Sequence, residues 1–207
     1  MAELQLSQMF HALADLFDEG NEDIASIGAT ALRRHADTKC AIEAADLTTA
    51  DEITALLTTP TALPCAAEVA PLMDQLSWHY SGYDDGRISA DVALRMQTVE
   101  LIGADGMIFD PDCRVGLFAQ TANTDYIIRT HAAEELFIQI AGEGEWYKEG
   151  TPYTLRHPGD RMHHASYQPH ASRTLDKGLI ALWVWAGDVS YKKYSYVGKE
   201  AANSEKP

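Results

Sequence analysis

The chain has 207 residues, 46% of them hydrophobic and 23% charged, proportions of an ordinary globular protein that exclude wholesale disorder and allow one or two domains. Its 31 Asp and Glu against 16 Lys and Arg give a formal net charge of −15, a field that repels nucleic acid and anionic membranes. No run approaches the ~20 consecutive apolar residues of a membrane-spanning helix.

The first third predicts helices. Between Leu4 and Phe17 the apolar residues fall at 4, 6, 9, 10, 13, 16 and 17, mostly at helical spacing. Residues 22–35 present Ile24, Ile27, Ala31 and Leu32 on one face. Thr48 and Thr49 can cap a helix carrying Ile53, Leu56 and Leu57, which stops before Pro60. A fourth helix is predicted from Pro64 to Leu76. Residues 1–77 hold 13 acids and 3 bases, the composition of solvated outer faces. Each helix offers a single apolar stripe, so the four are expected to pack on a partner layer rather than form a free domain.

At Trp78 the period changes. Short aromatic and β-branched runs follow at 96–103, 106–109, 114–120, 124–130, 134–140, 144–148, 152–156, 161–165 and 179–186, broken by Gly, Asp and Pro. Many short strands with no helices between them argue for an antiparallel barrel or sandwich. The expected organisation is a helical region at 1–77, a β-barrel at 78–197 and a frayed polar tail at 198–207. The segment Met1–Leu6 has neither the basic nor the apolar region of a secretory signal. Cys40, Cys65 and Cys113 lie far apart and form no Cys-x-x-Cys pair, so free thiols in a reducing cytoplasm are expected and a Cys-based zinc site is not.

Five of the eight histidines lie between 131 and 170. His131 precedes Glu135 by four residues, and side chains four apart on a strand share a face. After the turn Pro158-Gly159-Asp160, a second hairpin can bring His170 opposite them. Two imidazoles and a carboxylate leave positions open on a divalent metal, which suits catalysis more than structure. His163 is the fallback ligand, and either of the pair His163-His164 could support the site from behind. Arg129 shares the face of His131. It can grip a carboxylate bidentately, or pair with Glu134 or Asp125 at the surface.

The run Glu134-Glu135…Gly142, then Pro158-Gly159-Asp160…Gln168-Pro169-His170-Ala171, resembles the two motifs of the cupin superfamily. Within it, His131-Ala-Ala-Glu-Glu-Leu-Phe and His164-Ala-Ser-Tyr-Gln-Pro-His170 resemble the cupin-type dimethylsulfoniopropionate (DMSP) lyases, nearest to the DddQ kind. The resemblance implies a mainly β fold, a single cupin jelly-roll barrel packed with about four N-terminal helices. It implies one divalent ion (Zn, Mn, Fe, Co or Ni) on His131, Glu135 and His170, with Tyr126 as the base. The implied activity is cleavage of zwitterionic DMSP to dimethyl sulfide and acrylate. Arg129 stands where the usual cupin His-x-His has its first histidine, and Phe137 stands where the family has a tyrosine. Phe137, Trp183, Trp185, Tyr80 and Trp78 are available to face a sulfonium by cation–π attraction, though strand alternation lets only one of each neighbouring set face inward and barrel core is the commoner place for such rings. An isomerase or dioxygenase acting on another small carboxylate, and a non-catalytic binding module, remain as alternatives. No nucleic acid or membrane partner is expected, and a homodimer is left open.

Overall fold

The computed structural model describes residues 2–40, 50–80 and 88–196. The expected cap at Thr48-Thr49 and the tail 198–207 lie outside these residues. Helices come first: α1 (Ala2–Asp18), α2 (Asp23–His35), α3 (Ala50–Leu57) and α4 (Ala66–Val69). A 3-10 turn, Ala70–Leu72, continues α4. Pro71 sits in that turn and has no N–H to donate, so the long helix expected over 64–76 is cut short.

The strands are β1 (His79–Tyr80), β2 (Met96–Gly103), β3 (Ile108–Phe109), β4 (Arg114–Gln120), β5 (Asp125–Thr130), β6 (Ala133–Gly142), β7 (Gly144–Lys148), β8 (Thr154–Arg156), β9 (Arg161–His164), β10 (His170–Arg173), β11 (Leu179–Gly187) and β12 (Ser195–Tyr196). A one-turn helix, α5 (Ala90–Ala93), precedes β2. One sheet runs β1-β2-β4-β11-β6-β9, with β3 added to β2, and the other runs β12-β5-β10-β7-β8. All the described pairings are antiparallel except the short β2·β3 pair. The ladders form two sheets and do not close into one hydrogen-bonded barrel, so the expected barrel is a two-sheet jelly roll joined by side chains across its interior.

Strand alternation assigns each face. On β11, Ile180, Leu182, Val184 and Ala186 turn outward, while Leu179, Ala181, Trp183 and Trp185 turn inward. The outward set joins Leu136, Ile138, Val115 and Leu117 and packs under the apolar stripes of the helices. From α1 that stripe is Met9, Phe10, Leu13, Leu16 and Phe17, all buried. Each such side chain contributes ~1.5–3 kcal/mol on burial. Gly28 of α2 lets the Phe17 ring approach, since a Cβ there would lie 2.6 Å from it. Arg161 of β9 fastens the two layers: it donates to the Leu16 and Phe17 carbonyls that end α1 and binds Glu22 through Nε and Nη2. Trp78 belongs to this layer too, with its indole N–H donated to the Met73 carbonyl. No helix among the described residues is long and apolar enough to cross a membrane.

Candidate metal centre

The inward faces enclose a polar cluster in an aromatic shell. On β6, Glu135 alternates inward with Ala133 and Phe137, and it pairs in register with Trp185. The Trp185 indole N–H donates to Glu135 Oε1 at 2.5 Å. That fixes the carboxylate and leaves Oε2 facing the histidines. His131 Nε2 lies 3.3 Å from Oε2, His170 Nε2 3.1 Å and His164 Nδ1 3.4 Å. None of these four atoms has a hydrogen-bond partner, and all are buried.

The far side of each ring shows why. His131 Nδ1–H donates to the Ala133 carbonyl at 3.0 Å, and His170 Nδ1–H to the Gln168 carbonyl at 2.8 Å. Both bonds place the proton on Nδ1 and leave a bare lone pair on Nε2, the arrangement of a metal-ligating histidine. Among the described residues, His131, Glu135 and His170 are the group whose ligand atoms all lie within 4.8 Å of one another. Ligands on a tetrahedral ion bound at ~2.0–2.1 Å sit roughly 3.3 Å apart, close to the separations seen here. Unsatisfied, buried and mutually close, these atoms fit a divalent ion. His164 stacks face to face on His170 at 4.2 Å and 11°. One ion cannot lie in the planes of two parallel stacked rings, so His164 supports the carboxylate beside the triad. His163, the fallback, points outward, half-exposed, to Glu134 at 2.6 Å.

Charge is arranged to match. Burial, together with Arg129 and His164, pushes His170 down to about 3, so it is neutral and ligand-competent at neutral pH. Burial likewise lowers His164. For Glu135, burial raises the carboxyl, but the three imidazoles together outweigh it and hold the group well below the ordinary carboxylate range.

Tyr126 and Arg129 reach the same interior through a bulge. His170 pairs with Arg129 and Ser172 with Tyr126, so three steps along β5 face two along β10. An ideal strand would turn Tyr126 away from His131, and the extra residue at Ile127-Ile128 re-aims it inward. The Tyr126 hydroxyl meets the Tyr194 hydroxyl at 2.6 Å. The Arg129 guanidinium lies 3.8 Å over the Tyr126 ring. Arg129 is 1% exposed, and neither of its terminal nitrogens has a partner. The surface pairing with Glu134 or Asp125 weighed above is therefore not formed.

The aromatic candidates separate. Phe137 packs inside on Trp146 at 4.8 Å, and Trp183 is inside with its indole N–H unpartnered. Tyr80 is on the edge strand β1, and β2, β4 and β11 separate it from β6, roughly 19 Å at strand spacing. The fold does not bring it to the cluster. Sequence reasoning missed Tyr194, whose ring stacks on His131 at 5.5 Å and 22°. Of the pair His163-His164, either of which could support the site from behind, the structure puts His164 in that place, beside Glu135.

A family model described as DMSP lyase matches residues 29–181. The DMSP lyase DddQ of Ruegeria pomeroyi is 36% identical over 107 residues, 52% of this chain, and the alignment spans about half (53%) of that relative's length. Its crystal structure, from R. pomeroyi DSS-3, matches 91% of this chain and 98% of its own, with TM-score 0.64 and 24% identity. A crystal structure reported with the DMSP lyases RdDddP and RnDddQII covers 93% of this chain and 97% of its own, with TM-score 0.69 and 20% identity.

Proposed function

Since the chain belongs to the DMSP lyase family, we propose that it cleaves DMSP to dimethyl sulfide and acrylate in the interior of the jelly roll. The observation that carries this reading is the convergence of unpartnered, buried His131, Glu135 and His170 atoms beside an unpartnered Arg129 and an inward Tyr126.

Arg129 takes the substrate carboxylate through two parallel N–H bonds. Phe137 and Trp183 offer ring faces to the sulfonium, worth ~0.5–2 kcal/mol each without binding it as tightly as a counter-ion would. Tyr126, in its deprotonated form, takes the proton α to the carboxylate and becomes a neutral phenol. The C–H pair becomes the C=C bond, the C–S bond breaks with its pair on sulfur, and neutral dimethyl sulfide leaves acrylate behind. A divalent ion on His131, Glu135 and His170 would supply Lewis-acid stabilisation of the charge developing on the carboxylate. Zn, Mn, Fe, Co and Ni all suit this donor set. We further place the protein in the cytoplasm, a reading supported by its free cysteines, of which Cys65 and Cys113 are buried.

The test is metal analysis of the purified protein followed by headspace measurement of dimethyl sulfide. About one divalent ion per chain and steady release are expected. Glu135→Ala should lose most of the metal and the release together. Full occupancy in that variant removes Glu135 from the site, and a metal-loaded wild type that leaves DMSP intact overturns the lyase reading.

A further inference from the structure

Tyr194 lies outside every motif read along the chain. It comes from the segment after β11, between a 3-10 turn at Tyr191–Lys193 and β12. That segment is fastened at two points: Tyr191 bonds to Glu100 Oε2 and stacks under the Arg114 guanidinium, and β12 pairs with β5 at Thr130 and Arg129. Between these points Tyr194 is driven into the interior. Its ring stacks on His131 and, at 6.1 Å and 23°, on Trp185. Its hydroxyl is 2.6 Å from that of Tyr126. On β6, position 137 is filled by a phenylalanine ring that has no hydroxyl to offer.

Two phenols that share one short hydrogen bond can donate only one proton into it. The Arg129 guanidinium lies 3.8 Å over the Tyr126 ring and acts on both phenols. A Tyr126 oxygen that takes the substrate proton has none of its own to give, so the proton of the shared bond comes from Tyr194. A donated bond steadies the accepting oxygen in one direction and stabilises negative charge on it.

We propose that Tyr194 is a positioning residue for the elimination, holding Tyr126 oxygen as an aimed acceptor through its own hydroxyl. This rests on the lyase reading above. The experiment compares the wild type with Tyr194→Phe, Tyr126→Phe and the double variant, all metal-loaded, by dimethyl sulfide release across DMSP concentrations. Tyr194→Phe should lower kcat ~10–100-fold, the scale of one hydrogen bond to a charged group, with KM within about 2-fold. Tyr126→Phe should lower it by ~10²–10⁴-fold. The double variant should be no slower than Tyr126→Phe alone, because Tyr194 acts only through Tyr126. A Tyr194 that merely packs would slow the Tyr126→Phe background by the same factor again, and that result overturns the inference, as does a wild-type kcat in Tyr194→Phe. A readout independent of turnover is the downfield hydroxyl proton of the pair in the NMR spectrum. It should be present in the wild type and lost in either single variant; its absence from the wild type also overturns the inference. A wild type that shows this resonance but releases no dimethyl sulfide fails at the lyase reading, and the catalytic role of Tyr194 falls with it.

Discussion

Arg129 is a full positive charge buried beside a second cationic requirement, the proposed metal, with one described carboxylate, Glu135, in the cluster. Such a group is costly unless something anionic completes it. DMSP, the proposed substrate, would bring that anion. Arg129→Gln should therefore raise KM for DMSP by ~10–100-fold while metal content stays at the wild-type level. A KM unchanged in steady-state assays would free Arg129 from the carboxylate. Residues of this kind differ in how far the sequence reveals them. The spacing of four pairs His131 and Glu135 as neighbours on one strand face, but His131 lies in the connection between β5 and β6, so it is the turn into β6 that brings it to Glu135. Tyr194 was not readable, because a contact between residues 126 and 194 depends on where a connecting segment lands and leaves no periodic mark. Tyr80 fails for the opposite reason: its residue type suited the site, but sheet order put it on a distant edge.

The strands with strong alternation or long apolar runs, β2, β4, β7 and β11, were legible nearly to the residue. β10 was not: its four residues His170–Arg173 mix polar and small side chains and carry no period. The bulge in β5 was legible only as a need, since Tyr126 and His131 have opposite parity. Deleting Ile128 should remove the bulge but leave Tyr126 two residues from Arg129, on the same face of a regular strand, so dimethyl sulfide release should persist with the metal retained. Loss of release from a metal-loaded deletion variant would show that the bulge itself, and not only the shared face, is needed. On β4, Gly116 sits opposite Trp183 and leaves room for its indole; an added Cβ would strike the Val99 carbonyl and lie 2.8 Å from the ring. Gly116→Ala should destabilise by about 1–3 kcal/mol through overpacking. That corresponds to a loss of ~2–4 °C in Tm per kcal/mol, readable by thermal melting.

At the scale of the whole molecule, helices cover one sheet face and the polar cluster lies beneath the other, so stability and the site share β6 and β11. The link is electrostatic as well as mechanical. His170 is held neutral down to about 3 in the folded chain, whereas an unfolded histidine takes up a proton near pH 6.5. Below ~6.5 the unfolded state therefore binds more protons, and stability falls as pH falls, by up to about 1.4 kcal/mol per pH unit from this residue alone. Glu135 adds a loss in the same direction: its folded value is depressed, so its contribution is present above the unfolded value and disappears as pH drops through the folded one. Metal-free protein should melt markedly lower at pH 5 than at pH 7.5, and His170→Gln should flatten that difference. A wild-type Tm that is level across this range would remove the buried histidines from the balance.

The segment that carries Tyr191, Tyr194 and Tyr196 follows every strand of the two sheets but β12, its own. During synthesis the ribosome releases His131, Glu135 and His170 before it releases this segment. Tyr194, stacked on His131, comes from chain that follows all three of these residues. Its ring would lie against an ion held by His131 and should slow that ion's entry and exit. A chain ended at Gly187 should take up and lose divalent ions far faster than the full chain, even where the equilibrium occupancies agree.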